Sequence, residues 1–256
     1  ALAGLMAGAC NAPVPSASPA PPAVTVTATL TSTPTVTPTP TPPPESLLDE
    51  AARALSYGDW DLAFSTYEAA RSAPADDAAA AEALLGYATT LQRSGRVWEA
   101  IDAFTQFISA YPDDPQLSTA AFRRAQARQE AGLYDLAAED YRQVLALEPG
   151  ALDSHVHEQL GDLQRAAGRP LDSIPEYQAA AAAARLGGTR SLEIAIGLAY
   201  LEGARFSDAL AQFDAIQAQA TDGATLATLN LLAGRALEGM GDSAGAYARY
   251  LDSVER

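Results

Sequence analysis

Three kinds of side chain in this sequence could do chemistry: one thiol, two imidazoles and several paired carboxylates. Cys10 is the only cysteine, so neither an internal disulfide nor a Cys-based metal cluster can form. A lone thiol can still be acylated. His155 and His157 are the only histidines. Two residues apart on a helix, they do not share a face, and Asp153 with His157 supplies only two ligands. They are therefore assigned to packing or to lining a groove, and no metal is expected. Asp76-Asp77, Asp113-Asp114 and Glu139-Asp140 are read as loop or helix-end residues, where acids favour helix N-termini. No nucleophile comes with a base and an orienting group, and there is no phosphate loop, dinucleotide glycine motif or zinc helix motif. The chain is expected to hold no catalytic residues and no cofactor.

The charge balance narrows the partners. The 256 residues carry a formal charge of −16, and all 16 basic residues are Arg. Nucleic-acid binding needs clustered positive charge to displace counterions. The nearest basic cluster is Arg123, Arg124 and Arg128, read as a solvated helix face. No nucleic-acid partner is expected. Hydrophobic content is 48% but only 7% is aromatic, which suits Ala-rich helices in close contact.

The surroundings of Cys10 suggest what the thiol does. Leu5, Met6, Ala7, Gly8 and Ala9 run straight into it, a short apolar stretch ending in small residues. This is similar to the bacterial lipobox, in which the Cys becomes lipidated; Ala7 stands where that motif usually has Leu. Residues 1–9 are then the remnant of a signal peptide. Asn11 to Pro44 hold no charge and are mostly Pro, Thr, Ser, Ala and Val. Repeated Pro removes hydrogen-bond donors and pushes the preceding residue to extended geometry. Residues 10–44 are expected to be a lipidated Cys followed by a disordered stalk, able to reach about 100 Å in polyproline geometry. The expected location is extracytoplasmic, on the bacterial membrane through an N-terminal lipid.

Beyond the stalk the sequence repeats. A small residue followed four places later by an aromatic recurs as Ala63/Tyr67, Ala100/Phe104, Ala137/Tyr141, Ser173/Tyr177, Ala209/Phe213 and Ala246/Tyr250, with spacings of 37, 37, 36, 36 and 37. Five places before each small residue stands Gly58, Gly95, Gly132, Gly168 or Gly241; the fifth unit has Gly203 one place early and Ala204 in the slot. Twelve places before stand Ala51, Ala88, Ala125, Gly161, Gly197 and Gly234. Small residues let two helices approach, Gly supplies the turn between them, Pro112 and Pro149 stop the second helix, and the aromatic fills the contact with the next unit. Ser46 is read as the N-cap of the first helix, and Pro170 with Pro175 predicts a late or kinked helix in the fourth unit. The fold is all-α: a solenoid of about six helix-turn-helix units, near 45–78, 81–115, 118–150, 154–186, 190–222 and 227–256.

This pattern resembles the tetratricopeptide repeat over about 45–256. The resemblance implies a protein or peptide partner held on the concave face by first-helix residues: Leu85, Thr89, Gln92 and Arg93; Phe122, Gln126 and Gln129; His155, Glu158, Asp162 and Arg165; Ile194, Leu198 and Leu201; and Leu231 and Arg235. Those of the last two units could instead pack against a continuation of the array. The chaperone-binding clamp of some family members is excluded, because there is no Lys. The layout is similar to two groups. Phe107 to Pro115 resembles the repeats of envelope lipoproteins, which implies a membrane-anchored interaction scaffold. The Ala-rich array also resembles the superhelical arm of soluble lytic murein transglycosylases, which implies a non-catalytic part of a larger peptidoglycan enzyme. The missing Met, and a chain that stops at Arg256 inside the second helix of the sixth unit with no capping helix after it, favour a chain cut at both ends.

Overall fold

The structure, a computed structural model, describes residues 44–150, 152–184 and 188–255. Cys10, the signal-peptide remnant and the stalk lie outside the described residues, except Pro44. The helices pair as α1 (Pro44–Tyr57) with α2 (Trp60–Ser72), α3 (Asp77–Arg93) with α4 (Val97–Ala110), and α5 (Leu117–Glu130) with α6 (Tyr134–Leu147). They continue as α7 (Asp153–Ala166) with α8 (Ile174–Ala183), α9 (Arg190–Glu202) with α10 (Phe206–Gln217), and α11 (Gly223–Gly239) with α12 (Ser243–Val254). These are the six expected units, and no strand occurs among the described residues.

One boundary differs from expectation and another follows it. α1 begins at Pro44, not after Ser46: proline suits the first helical position, where its missing N–H would have no partner anyway. In the fourth unit Pro170–Ser173 forms a 3-10 turn before α8, the late start that its prolines predict.

The small and aromatic places form the core. Ala63, Ala100, Ala137, Ser173 and Ala209 are fully buried, as are Phe104, Tyr141, Tyr177 and Phe213. The aromatic does more than fill the seam to the next unit. It also lies on the first helix of its own unit. A Cβ on Gly161 would stand 2.5 Å from Tyr177 Cε1, and on Gly197 2.4 Å from Phe213 Cε1. Glycine there leaves room for a ring directly against backbone.

The turn glycines take left-handed φ of 75–83°. The fifth unit breaks the rule for a reason. Gly203 has an ordinary φ of −81°, and its missing side chain makes room for Leu171, whose Cδ2 would lie 2.4 Å from a Cβ. The left-handed place falls on Ala204, at φ 57°. Ala204→Gly is expected to raise stability by about 0.5–1 kcal/mol, the relieved strain less the entropy of a freer unfolded chain. Urea unfolding followed by circular dichroism checks this; a loss of stability would place the turn elsewhere.

The basic cluster is not a solvated face. Arg124 is buried and grips Asp140 through both carboxylate oxygens, Nε to Oδ2 at 3.0 Å and Nη2 to Oδ1 at 2.6 Å. Its Nη1 donates to Thr105 Oγ1 at 3.2 Å, across the α4–α5 seam. Arg128 reaches the same carboxylate at 2.9 Å and donates to the Leu136 carbonyl. Asp140 is thus not a helix-end acid: it sits inside α6, 2% exposed. Burial pushes the Arg128 guanidinium below its ordinary range, opposed by Asp140.

The two ends of the array differ. In α3 the residues that face α2 include Ala83, Gly86 and Thr90, all buried or in close contact. The matching places of α1, 37 residues earlier, hold Ser46, Asp49 and Arg53, all exposed. In α12 the reverse holds. Tyr247, Leu251 and Val254 are 69, 46 and 84% exposed. Tyr250 is partly exposed, whereas the five earlier residues in its place are 0–5% exposed.

Candidate protein-interaction face

First helices of neighbouring units touch (α1 with α3, α3 with α5, α9 with α11), while no two second helices meet to a comparable extent. The first helices therefore form the tighter inner row, on which the expected binding residues lie.

The structure sorts these residues into groups. Leu85, Thr89 and Leu201 are buried and do not line an open groove. Leu201 belongs to the cluster around Phe213. Thr89 is tolerated inside because its hydroxyl donates to the Leu85 carbonyl at 2.8 Å. Ile194 and Leu198 pack partly buried against the Phe213 cluster. Leu231 is 48% exposed and Arg235 is exposed.

Other members are occupied by bonds within or between units. Tyr141 OH donates to Gln129 Oε1 at 3.3 Å, and Tyr177 OH to Asp162 Oδ1 at 2.7 Å. Burial, reinforced by neighbouring acids, pushes both phenols above their ordinary range. Arg165 makes a two-point ion pair with Glu202 of the next unit, which raises its basicity further. Arg169 to Asp135 and Arg249 to Asp214, each 2.6 Å, also join consecutive units. As partly exposed pairs each contributes about 1 kcal/mol or less. Gln92 donates from Nε2 to the Arg123 carbonyl at 3.4 Å. Arg93 is exposed and lies over the Trp60 ring, 5.3 Å from its centroid.

Phe122, Gln126, His155 and Glu158 remain open to a partner. The Phe122 ring sits 5.4 Å from Tyr141 and 5.9 Å from His155, and Glu158 lies 3.6 Å from His155 Nδ1. Phe122 and Gln126 share a cavity of about 410 Å³ with Ser118, Thr119, Arg123, Glu148 and Leu152. The last five were not foreseen. Sequence gives no signal for them, since Arg123 lacks an acid three or four residues away on its own helix just as the paired Arg124 and Arg128 do. His157 pairs with Glu176 on α8 at 2.8 Å.

Among the described residues no group of His, Cys, Asp and Glu is placed to hold a metal ion, and no helix is long and apolar enough to cross a membrane.

Compared with models of known protein families the chain matches none, and no curated protein matches it. Solved structures do. A tetratricopeptide repeat protein from Parabacteroides merdae is similar at 17% identity over 80% of this chain and 77% of that one, with a TM-score of 0.62. MamA from Desulfovibrio magneticus RS-1 is similar at 16% identity over 68% and 93%, TM-score 0.57. Nearly identical TPR-like repeats from Podosopora anserina are similar at 18% identity over 70% and 98%, TM-score 0.56. At these identities the likeness is one of architecture, and it agrees with the register of small, turn and aromatic places: the fold is an α-solenoid of the tetratricopeptide-repeat type.

Proposed function

We propose that the chain is a lipid-anchored interaction scaffold of the bacterial cell envelope, without catalysis of its own, that binds a protein segment along its first-helix row. The observation that carries this reading is the open strip of Phe122, Gln126 and His155 with its cavity of about 410 Å³. It offers an aromatic anchor and unspent polar groups on a rigid row of helices, the combination that protein-binding surfaces use. The anchor rests on Cys10, the small residues before it and the uncharged Pro/Thr tract after it.

Each half has its own test. Expressed in bacteria with its full leader, the protein is expected to incorporate a fatty-acid label and fractionate with membranes. Cys10→Ala is expected to lose both, and a membrane-bound Cys10→Ala protein would sink the anchor. A photo-crosslinking residue at Phe122 or His155 is expected to capture a protein in cells, and one at Arg142, exposed on the second helix α6, is not. Equal capture from both positions would remove the inner row as the binding face.

One observation favours a second reading. The uncovered α12 face has the apolar character of a seam awaiting another helix. This supports the array as the non-catalytic arm of a larger peptidoglycan lytic transglycosylase, with cell-wall material as its setting. The gene sequence after Arg256 separates the readings: a lysozyme-like domain with a Glu-Ser motif supports the arm, and a stop codon soon after supports the scaffold alone.

A further inference from the structure

The inference rests on the binding-face reading and specifies its ligand. Most described arginines are matched to a carboxylate or stacked on a ring, as Arg124 and Arg128 are with Asp140, Arg165 with Glu202, and Arg71 over Tyr87. Arg123 is half-buried on α5, yet its side chain has no carboxylate, carbonyl or ring partner among the described residues. Burial, then the like charge of Arg93 from α3, push its guanidinium below the ordinary range. Glu148 lines the same cavity but makes no ion pair with Arg123.

A half-buried, unmatched guanidinium beside a second positive charge is electrostatically incomplete. The rest of the cavity supplies what a carboxylate needs. Ser118, itself buried, and Thr119 line it with hydroxyls that make no hydrogen bond to a described residue. Phe122, fixed between Tyr141 and His155, and half-exposed Leu152 give it an apolar wall.

We propose that this cavity takes an acidic side chain, Asp or Glu, of a bound protein segment, with its carboxylate on Arg123 and the adjacent hydroxyls, and the segment's neighbouring apolar side chain against Phe122 and Leu152. The planar guanidinium fork fits a carboxylate, and pairing removes the repulsion between Arg93 and Arg123. Glu148 on the rim turns the acid toward Arg123 and opposes a second acid beside it. On a chain of net charge −16, a local positive spot gives an acidic segment one place to dock and so fixes its register.

The test is selection of a random peptide library displayed on phage against the whole chain. Enriched peptides are expected to carry Asp or Glu beside an apolar residue. Their synthetic forms are expected to bind about tenfold or more weakly when the acid is changed to its amide, and likewise to Arg123→Gln. Arg93→Gln is expected to weaken binding by less, and Arg142→Gln not at all. Enrichment of neutral or basic peptides whose binding is lost in Phe122→Ala overturns the proposal and leaves the binding-face reading standing. Failure to enrich any peptide overturns both. If Arg123→Gln does not fold, the acid-to-amide change in the peptide, read on the unaltered protein, and the exposed Arg93→Gln variant decide the matter.

Discussion

Asp140→Ala is expected to lower the stability of the array by about 3–5 kcal/mol. The carboxylate is 3% exposed and serves two guanidinium groups, Arg124 and Arg128, which are 11 and 15% exposed. Removing it leaves both positive charges in a protein interior with only Thr105 Oγ1 and the Leu136 carbonyl as acceptors. The penalty is mainly that of stranding charge, not of losing attraction, and this can be separated. A variant that replaces all three residues together, Arg124→Met, Arg128→Leu and Asp140→Leu, is expected to recover most of the loss, because apolar groups of similar volume need no partner there. Urea unfolding followed by circular dichroism measures both. An Asp140→Ala protein within about 1 kcal/mol of the parent would mean that water reaches the cluster and that it behaves as a surface pair.

Phe213→Ala is expected to cost about 3–5 kcal/mol, and Tyr250→Ala less than half of that, although the two residues hold the same place in successive units. Phe213 is fully buried between Gly197 on its own unit and Leu229 and Leu232 on the next. Gly197 has no side chain to collapse into the space that the ring vacates, so the cavity persists. Tyr250 rests on Gly234 in the same way, but no helix among the described residues covers its other side, and its hydroxyl bond to Glu238 at 2.9 Å is exposed. Paired unfolding measurements on the two variants compare a closed seam with an open one. Equal losses would show that the ring stabilises its own unit only, with no share in the seam to the next.

Much of the fold can be read in the sequence because the repeat is spelled in residue types with strong local consequences. A small residue four places before an aromatic, glycine at the turn and proline after the second helix are constraints of backbone approach and dihedral angle, and they recur at one spacing. Even the irregular fifth unit is visible as Gly203 and Ala204 in exchanged places. Its cause is not visible, because Leu171 lies in another unit. The same limit explains the charge errors. Arg124 pairs with Asp140, 16 residues away on the partner helix, so spacing along one helix says nothing about it, and a run of arginines on α5 looks solvated. The row of first helices was legible as a row. Which of its members stay accessible was not, since that depends on how closely adjacent first helices approach. Leu85 and Leu201 disappear into the seams, Asp162 and Arg165 are taken up by Tyr177 and Glu202, and the cavity beside Phe122 draws Glu148 and Leu152 from the loop between α6 and α7.

The contrast between α1 and α12 bears on how such an array can grow during evolution. Duplication of a unit after α12 would place a new first helix over Tyr247, Leu251 and Val254, side chains already suited to being covered. Duplication ahead of α1 would bury Asp49 and Arg53 where α3 has Gly86 and Thr90, and each stranded charge would cost several kcal/mol unless it changed as well. The solenoid therefore has a grain. The outer face of α12 is suited to receive a neighbouring helix, and the outer face of α1 opposes one.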